Sequence, residues 1–183
     1  MHSLQEKNEL LQRMDCARER LIAAVEGLSQ PQANFKPAPD AWSVAGIVEH
    51  LATVEDFVIM RVEKMTSAPD HGNFKDSDVV LFDKIVDRTE RLQAPERVHP
   101  TGKSLGSSLE RLAATREKIV GLIRSAPDGH FRQHSMDHPV LGPLDGHQWV
   151  VFITGHCLRH TQQILETKSA RNFPATLSRE TSA

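Results

Sequence analysis

Four stretches of the chain carry apolar residues at the spacing of a helix. In each one, apolar side chains recur every three or four residues while charged residues occupy the other positions, which is typical of a helix with one buried face. The stretches cover residues 3–28, 43–66, 104–126 and 145–168. No segment alternates apolar and polar residues over a useful length. The pattern therefore predicts an all-α protein built as a four-helix bundle.

The connections between these helices differ in length. Three prolines interrupt the pattern between the first and second helices. Segment 67–103 is much longer and contains only one further helical stretch, 79–92. We therefore expect a long crossover between helices two and three, so that these helices need not be antiparallel neighbours. The polar tail from about residue 170 is expected to be poorly ordered.

Three histidines lie on apolar faces of two of the predicted helices. His156 and His160 are four residues apart in the fourth helix, so their side chains share one face, and His50 lies within the apolar stripe of the second helix. Burying three imidazoles without partners is costly, and a divalent metal ion removes that cost by binding one nitrogen of each ring. Three protein ligands with an open position are typical of a catalytic metal site.

The remaining histidines offer a rival set. His130, His134 and His138 are also spaced by four, but a glycine precedes them, a proline follows, and no apolar stripe accompanies them. We interpret them as loop residues, some of them lining the mouth of a pocket. His147 is nine residues from His156, which predicts a solvated position on the opposite face of the fourth helix.

Two polar residues are candidates for catalysis. Gln163 lies one turn below His160 and is either a satisfied interior amide or a group that supports a histidine ligand or contacts substrate. Arg116 interrupts the apolar stripe of the third helix. Its side chain either extends to solvent or offers a fixed fork to an anionic group of a substrate. A purely structural role of the three histidines also stays open.

Composition narrows the class of protein. The 183 residues fit one domain, 39% of them are hydrophobic and 25% charged, and the formal net charge is −2. Basic residues form no stripe with interleaved aromatics, which argues against nucleic-acid binding, and no apolar run approaches a membrane span. The two cysteines, Cys16 and Cys157, form no disulfide framework, which fits a reducing cytosol, and we expect Cys157 to pack as a small apolar side chain.

Three sequence motifs resemble those of the DinB-like superfamily. They are PAPDAWSVAGIVEHL at 37–51, HPVLGPL at 138–144 and GHCLRHTQQI at 155–164. The resemblance covers about residues 4–168. It implies a four-helix bundle with up-up-down-down topology and a three-histidine site of His50, His156 and His160 that binds zinc, nickel or a similar divalent ion.

The same resemblance implies a reaction class. The superfamily includes bacillithiol S-transferases and mycothiol-dependent isomerases, together with relatives of unassigned reaction, and homodimers are common in it. We therefore expect a cytoplasmic metal-dependent enzyme with a small-molecule substrate, which activates a low-molecular-weight thiol for transfer to an electrophile. A homodimer is one expected assembly. The alternatives are a hydrolase that activates water, and a non-catalytic metal- or ligand-binding protein of a stress response.

Overall fold

The computed structural model describes residues 4–65, 77–89 and 93–175. It contains seven α-helices within those ranges: α1 (Leu4–Val25), α2 (Gln30–Ala33), α3 (Val44–Met65), α4 (Asp78–Val86), α5 (Leu105–Ser125), α6 (His130–Gln133) and α7 (Gly146–Lys168). A 3-10 turn spans Glu96–Val98, and two short strands, β1 (Ser135–His138) and β2 (Gly142–Asp145), form an antiparallel hairpin.

The four long helices α1, α3, α5 and α7 form the predicted bundle. Helix α3 packs mainly on α5 and α7, and α1 packs mainly on α7. The start of α7 shows how the sequence sets a helix boundary. Asp145 accepts the backbone N–H of Gln148 at 2.7 Å, and the Gln148 side chain accepts the backbone N–H of Asp145 in return. The all-α bundle is confirmed, although its short hairpin was not predicted.

Contacts along the helices show that α3 and α7 are antiparallel. His50, in the first half of α3, contacts His156 near the midpoint of α7. Arg61, near the end of α3, lies over the ring of Trp149 at the start of α7. Since residue numbers rise along one helix as they fall along the other, the two helices run in opposite directions.

By contrast, α1 and α7 run in the same direction. The Cys157 thiol lies 3.5 Å from the carbonyl oxygen of Ala17, and the Lys168 ammonium donates to the carbonyl oxygen of Ala24 at 2.7 Å. Cys157 is fully buried, as expected of a small packing side chain. Helix α1 is therefore antiparallel to α3.

Helices α3 and α5 are parallel neighbours, joined by the predicted crossover. Glu49 binds the backbone of Lys103 just before α5, and one to two turns later Glu55 binds Arg116 in the middle of α5. From the first pair to the second the residue numbers rise on both helices, so α3 and α5 run in the same direction. The order of the four helices is therefore up-down-down-up. This corrects the expected up-up-down-down order, because the chain reverses direction between α1 and α3 instead of within the crossover.

Helix α4 in the crossover covers one side of α7 and corrects a second expectation. His147 is only 8% exposed, and its Nε2 atom lies 3.3 Å from a carboxylate oxygen of Asp78, the first residue of α4. The prediction that His147 is solvated is wrong because α4 packs on that face. Helix α4 is also shorter than predicted, ending at Val86, and residues 90–92 of that prediction lie outside the described residues.

Part of the tail packs on the bundle. The Gln32 side chain donates to the carbonyl oxygen of Pro174 at 3.0 Å, and the rings of Phe35 and Phe173 meet edge to face. Residues 170–175 are thus held against the α2 region. The rest of the tail, 176–183, lies outside the described residues. None of the helices described is long and apolar enough to cross a membrane.

An ion pair lies buried between α3 and α5. Arg116 Nη2 donates to Glu55 Oε1 at 2.7 Å, Nε donates to Oε2 at 2.9 Å, and neither side chain is more than 6% exposed. Burial raises the pKa of Glu55, and the adjacent Arg116 charge opposes that shift. The arginine therefore does not extend to solvent. It is also not among the residues that line the cavity described below.

We expect Arg116→Met to lower the free energy of unfolding by about 3–5 kcal/mol, because it leaves the Glu55 carboxylate buried without a partner. Replacing both partners, Glu55→Leu with Arg116→Met, is expected to restore most of that loss. Arg111→Met, which removes the exposed pair with Asp56 on the same two helices, should cost at most about 1 kcal/mol. Chemical denaturation measures all three. Equal losses in Arg116→Met and Arg111→Met would contradict the assignment.

Candidate metal centre

The three predicted histidines come together between α3 and α7. The Nε2 atom of His156 lies 3.3 Å from Nε2 of His50 and 3.1 Å from Nε2 of His160. All three nitrogens are within 4.8 Å of one another. In the part of the chain that the structure describes, no other group of three His, Cys, Asp or Glu side chains converges in this way.

The other ring nitrogens show how two of the rings are oriented. Nδ1 of His50 lies 2.8 Å from the carbonyl oxygen of Val98, and Nδ1 of His160 lies 2.8 Å from Oε1 of Gln163. Because these oxygens only accept hydrogen bonds, each Nδ1 carries the proton, and the lone pair is on Nε2. Gln163 therefore makes the hydrogen bond that a role in supporting His160 requires, and that role stays a prediction. The Nδ1 atom of His156 is buried without a partner in the described residues.

This arrangement fits a divalent cation. Imidazole nitrogens bind zinc at about 2.0–2.1 Å, which separates tetrahedral ligand atoms by roughly 3.4 Å, close to the two distances observed here. Without a cation, the lone pairs of His50 and His160 have at most one proton between them, that of a His156 Nε2–H group, so a single donor serves two acceptors. Burial lowers the pKa of His160 to about 3 and lowers the pKa of His50 and His156 in the same direction. The rings are therefore neutral at pH 7, as metal ligands must be.

A residue that the sequence interpretation passed over holds the crossover against the site. The Glu49 carboxylate accepts four hydrogen bonds from Thr101, Gly102 and Lys103. Burial alone raises the pKa of Glu49, but these bonds lower it below the ordinary value. Glu49 thus fixes the segment that carries the Val98 carbonyl. No signal in the sequence identified it, since its partners are about fifty residues away.

The histidines line a cavity of about 910 Å³. Trp42 forms one wall, with its ring centroid 4.7 Å from that of His50, and Phe152 stacks on His156 at 5.2 Å. Of the rival histidines, His138 lines this cavity, while His130 and His134 are not among the lining residues. No continuous helix runs through these three histidines, as expected, but only His134 is a loop residue, because His130 begins the one-turn helix α6 and His138 ends β1.

Comparison with known proteins identifies the family. The sequence profile of the DinB superfamily matches residues 13–164, a range that contains all three motifs and their histidines. The chain belongs to the DinB superfamily. Among curated proteins, it is similar to the uncharacterized protein YuaE of Bacillus subtilis (strain 168), with 29% identity over 148 residues, covering 79% of this chain and 88% of YuaE.

Two solved structures share the fold of the chain described here. YfiT from Bacillus subtilis, described as a probable metal-dependent hydrolase with an unusual four-helix bundle topology, matches with a TM-score of 0.65 and 17% identity, covering 91% of this chain and 87% of YfiT. TT2238, described as a four-helix bundle protein, matches with a TM-score of 0.60 and 17% identity, covering 87% of this chain and 98% of TT2238. At this identity the likeness shows the fold alone.

The metal content of purified protein tests the histidine cluster. Wild type is expected to hold about one divalent ion per chain after dialysis, and His50→Ala and His156→Ala are expected to hold almost none. His99→Ala is the matched control, because His99 is exposed and lines the same cavity without joining the cluster. Elemental analysis by mass spectrometry gives the stoichiometry. Equal and negligible metal in all four proteins would refute the metal centre.

Gln163 offers a finer test of the same centre. Gln163→Leu removes the acceptor for His160 Nδ1 and is expected to weaken metal affinity by about 10–100-fold, as loss of such supporting hydrogen bonds does elsewhere. Gln163→Glu keeps an acceptor at that position and should stay close to wild type. Competition with a chromogenic chelator measures both. An unchanged affinity in Gln163→Leu would show that this hydrogen bond does not support a ligand.

Proposed function

We propose that this protein is a metal-dependent enzyme in which His50, His156 and His160 bind zinc or nickel and a small thiol is activated for transfer to an electrophile. One observation carries the proposal. Two protonated Nδ1 atoms and three converging Nε2 atoms create a cation site in the wall of a cavity large enough for a small molecule.

The residues around the cluster have distinct tasks in this proposal. The three imidazoles hold the cation, while Val98 and Gln163 keep the rings of His50 and His160 in place. A cation with only three protein ligands has a free position, where it lowers the pKa of a thiol or a water molecule. Trp42, Phe152 and neighbouring apolar side chains exclude bulk water from the substrate and so strengthen electrostatic interactions there.

The carboxylates near the cavity favour thiol transfer over hydrolysis. Hydrolysis by activated water commonly uses a carboxylate as general base. Within the described ranges the cavity is lined by two carboxylates, and neither is well suited. Glu166 pairs with Arg88 at 2.6 Å, and Asp40 is exposed to solvent. A thiolate is itself a strong nucleophile and needs no such base once its proton has left.

A metal-dependent hydrolase is the second candidate. The observation that favours it is the likeness to YfiT, which is described as a probable metal-dependent hydrolase. Both candidates need the same cation site and the same cavity. They differ in the nucleophile, a thiol or a water molecule, and turnover assays therefore separate them directly.

The decisive assay offers metal-loaded protein a panel of thiols (cysteine, glutathione, bacillithiol and mycothiol) with monochlorobimane, and in parallel a panel of ester and amide substrates. We expect thiol conjugation that chelator abolishes and that falls by about a hundredfold or more in His156→Ala, since the metal supplies several kcal/mol of the stabilisation. Metal-dependent hydrolysis without conjugation would favour the second candidate. No metal-dependent turnover in either panel would contradict both and leave a non-catalytic binding protein.

A further inference from the structure

We propose that Arg61, His138 and Trp149 form a second binding site in the same cavity, which holds a carboxylate group of the substrate. This inference rests on the proposed function, because it describes the substrate that reaches the histidine cluster. Two observations carry it. His138 has a ring N–H group, and Arg61 has a positive charge, for which the described residues supply no partner, and both side chains contact the ring of Trp149.

His138 presents a hydrogen-bond donor because the hairpin fixes its tautomer. Its Nδ1 atom accepts the backbone N–H groups of Val140 and Leu141, each at 3.2 Å. An Nδ1 atom that accepts hydrogen bonds carries no proton, so in the neutral ring the proton is on Nε2. Within the residues described, nothing accepts a hydrogen bond from that Nε2–H group. His138 lines the cavity, so the free donor belongs to the cavity wall.

His138 is held neutral by its surroundings. Burial, together with the positive charge of Arg61, lowers its pKa to about 4. Its ring lies against two aromatic side chains, with centroid distances of 5.2 Å to Trp149 and 4.6 Å to Phe152. At pH 7 the ring therefore donates from Nε2 and adds no charge of its own.

Arg61 supplies the charge. Its guanidinium carbon lies 5.6 Å from the ring centroid of Trp149, which is almost fully buried, and no carboxylate in the described ranges pairs with it. Two other arginines of the cavity are committed to the protein: Arg88 pairs with Glu166, and Arg159 donates to the carbonyl oxygens of Ile85 and Asp87. Arg61 is thus a guanidinium held on an aromatic face with its donors available to a ligand.

The charge of this site selects among anions. One guanidinium and one neutral imidazole carry a single positive charge, which matches a carboxylate better than a doubly charged phosphate. The guanidinium fork also matches the two carboxylate oxygens geometrically. Phe152 links the two sites, since its ring contacts both His138 and His156. The inferred substrate is therefore a small molecule with a carboxylate end and an apolar body that leads to the histidine cluster.

Isothermal titration with 3-phenylpropionate and its neutral amide, 3-phenylpropanamide, tests the site. Wild type is expected to bind the acid at least about tenfold more tightly than the amide, and Arg61→Met should remove about that factor for the acid only. Arg97→Met is the matched control, because Arg97 lines the cavity but is exposed and lies on the 3-10 turn. Its affinity for the acid should stay within about threefold of wild type, as for a screened surface charge. Thermal unfolding of each variant verifies that it is folded.

Further binding measurements distinguish this site from the metal centre. His156→Ala should bind 3-phenylpropionate nearly as tightly as wild type, because the carboxylate contacts Arg61 and His138 and not the cation. Binding that requires His156 and is unchanged by Arg61→Met would overturn the inference while leaving the metal centre intact. Equal losses in Arg61→Met and Arg97→Met, or tighter binding of phenyl phosphate than of the acid, would overturn it as well. Arg61-dependent binding by wild-type protein that proves to hold no metal ion in elemental analysis would support the site and contradict the proposed function.

Discussion

The candidate centre depends on two hydrogen bonds made by the backs of its histidine rings. The Val98 carbonyl and the Gln163 amide oxygen place protons on Nδ1 of His50 and His160, so the lone pairs of both rings point toward His156. A neutral His156 can place one proton between these lone pairs, whereas a divalent cation binds all three Nε2 atoms at once. The remaining features of the cavity follow from the need to hold these rings in that arrangement.

The directions of the helices also bring the three histidines together. Because α3 and α7 are antiparallel, His50 meets the His156–His160 pair, while Arg61 meets Trp149 at the other end of the same contact. The crossover between α3 and α5 then passes over the histidines, and Glu49 fixes it there. One helix pair and one anchored segment therefore position the cluster, its supporting carbonyl and the cavity. His50 and Arg61, eleven residues apart, lie on the same face of α3, while Glu49 binds the crossover from a neighbouring face.

Much of the bundle and of the cluster could be predicted because helical periodicity is a local signal. The apolar stripes located the four long helices, and the positions of His50, His156 and His160 within those stripes predicted that they would meet. Features that depend on distant partners could not be predicted. The sequence interpretation passed over Glu49 and Glu55 and predicted a solvated His147, yet each of the three is buried against a segment far away in sequence. The hairpin escaped notice because four-residue strands are too short for a period to show.

Helical periodicity could not predict the directions of the four helices for a related reason. An amphipathic helix shows which face is buried, but that face is compatible with a parallel or an antiparallel neighbour. Only pairwise contacts such as those of Ala17 with Cys157 decide between the two. The same limit applied to Arg116, whose position in the stripe left open whether its side chain extends to solvent and did not indicate that Glu55 was there to neutralise it.

The most direct test of the metal centre is a crystal structure of the protein as purified, with diffraction data collected on both sides of the zinc and nickel absorption edges. We predict one anomalous peak between α3 and α7, about 2.0–2.2 Å from the Nε2 atoms of His50, His156 and His160. A clear map of the three rings with no anomalous peak between them, or a metal ion bound elsewhere in the chain, would contradict it.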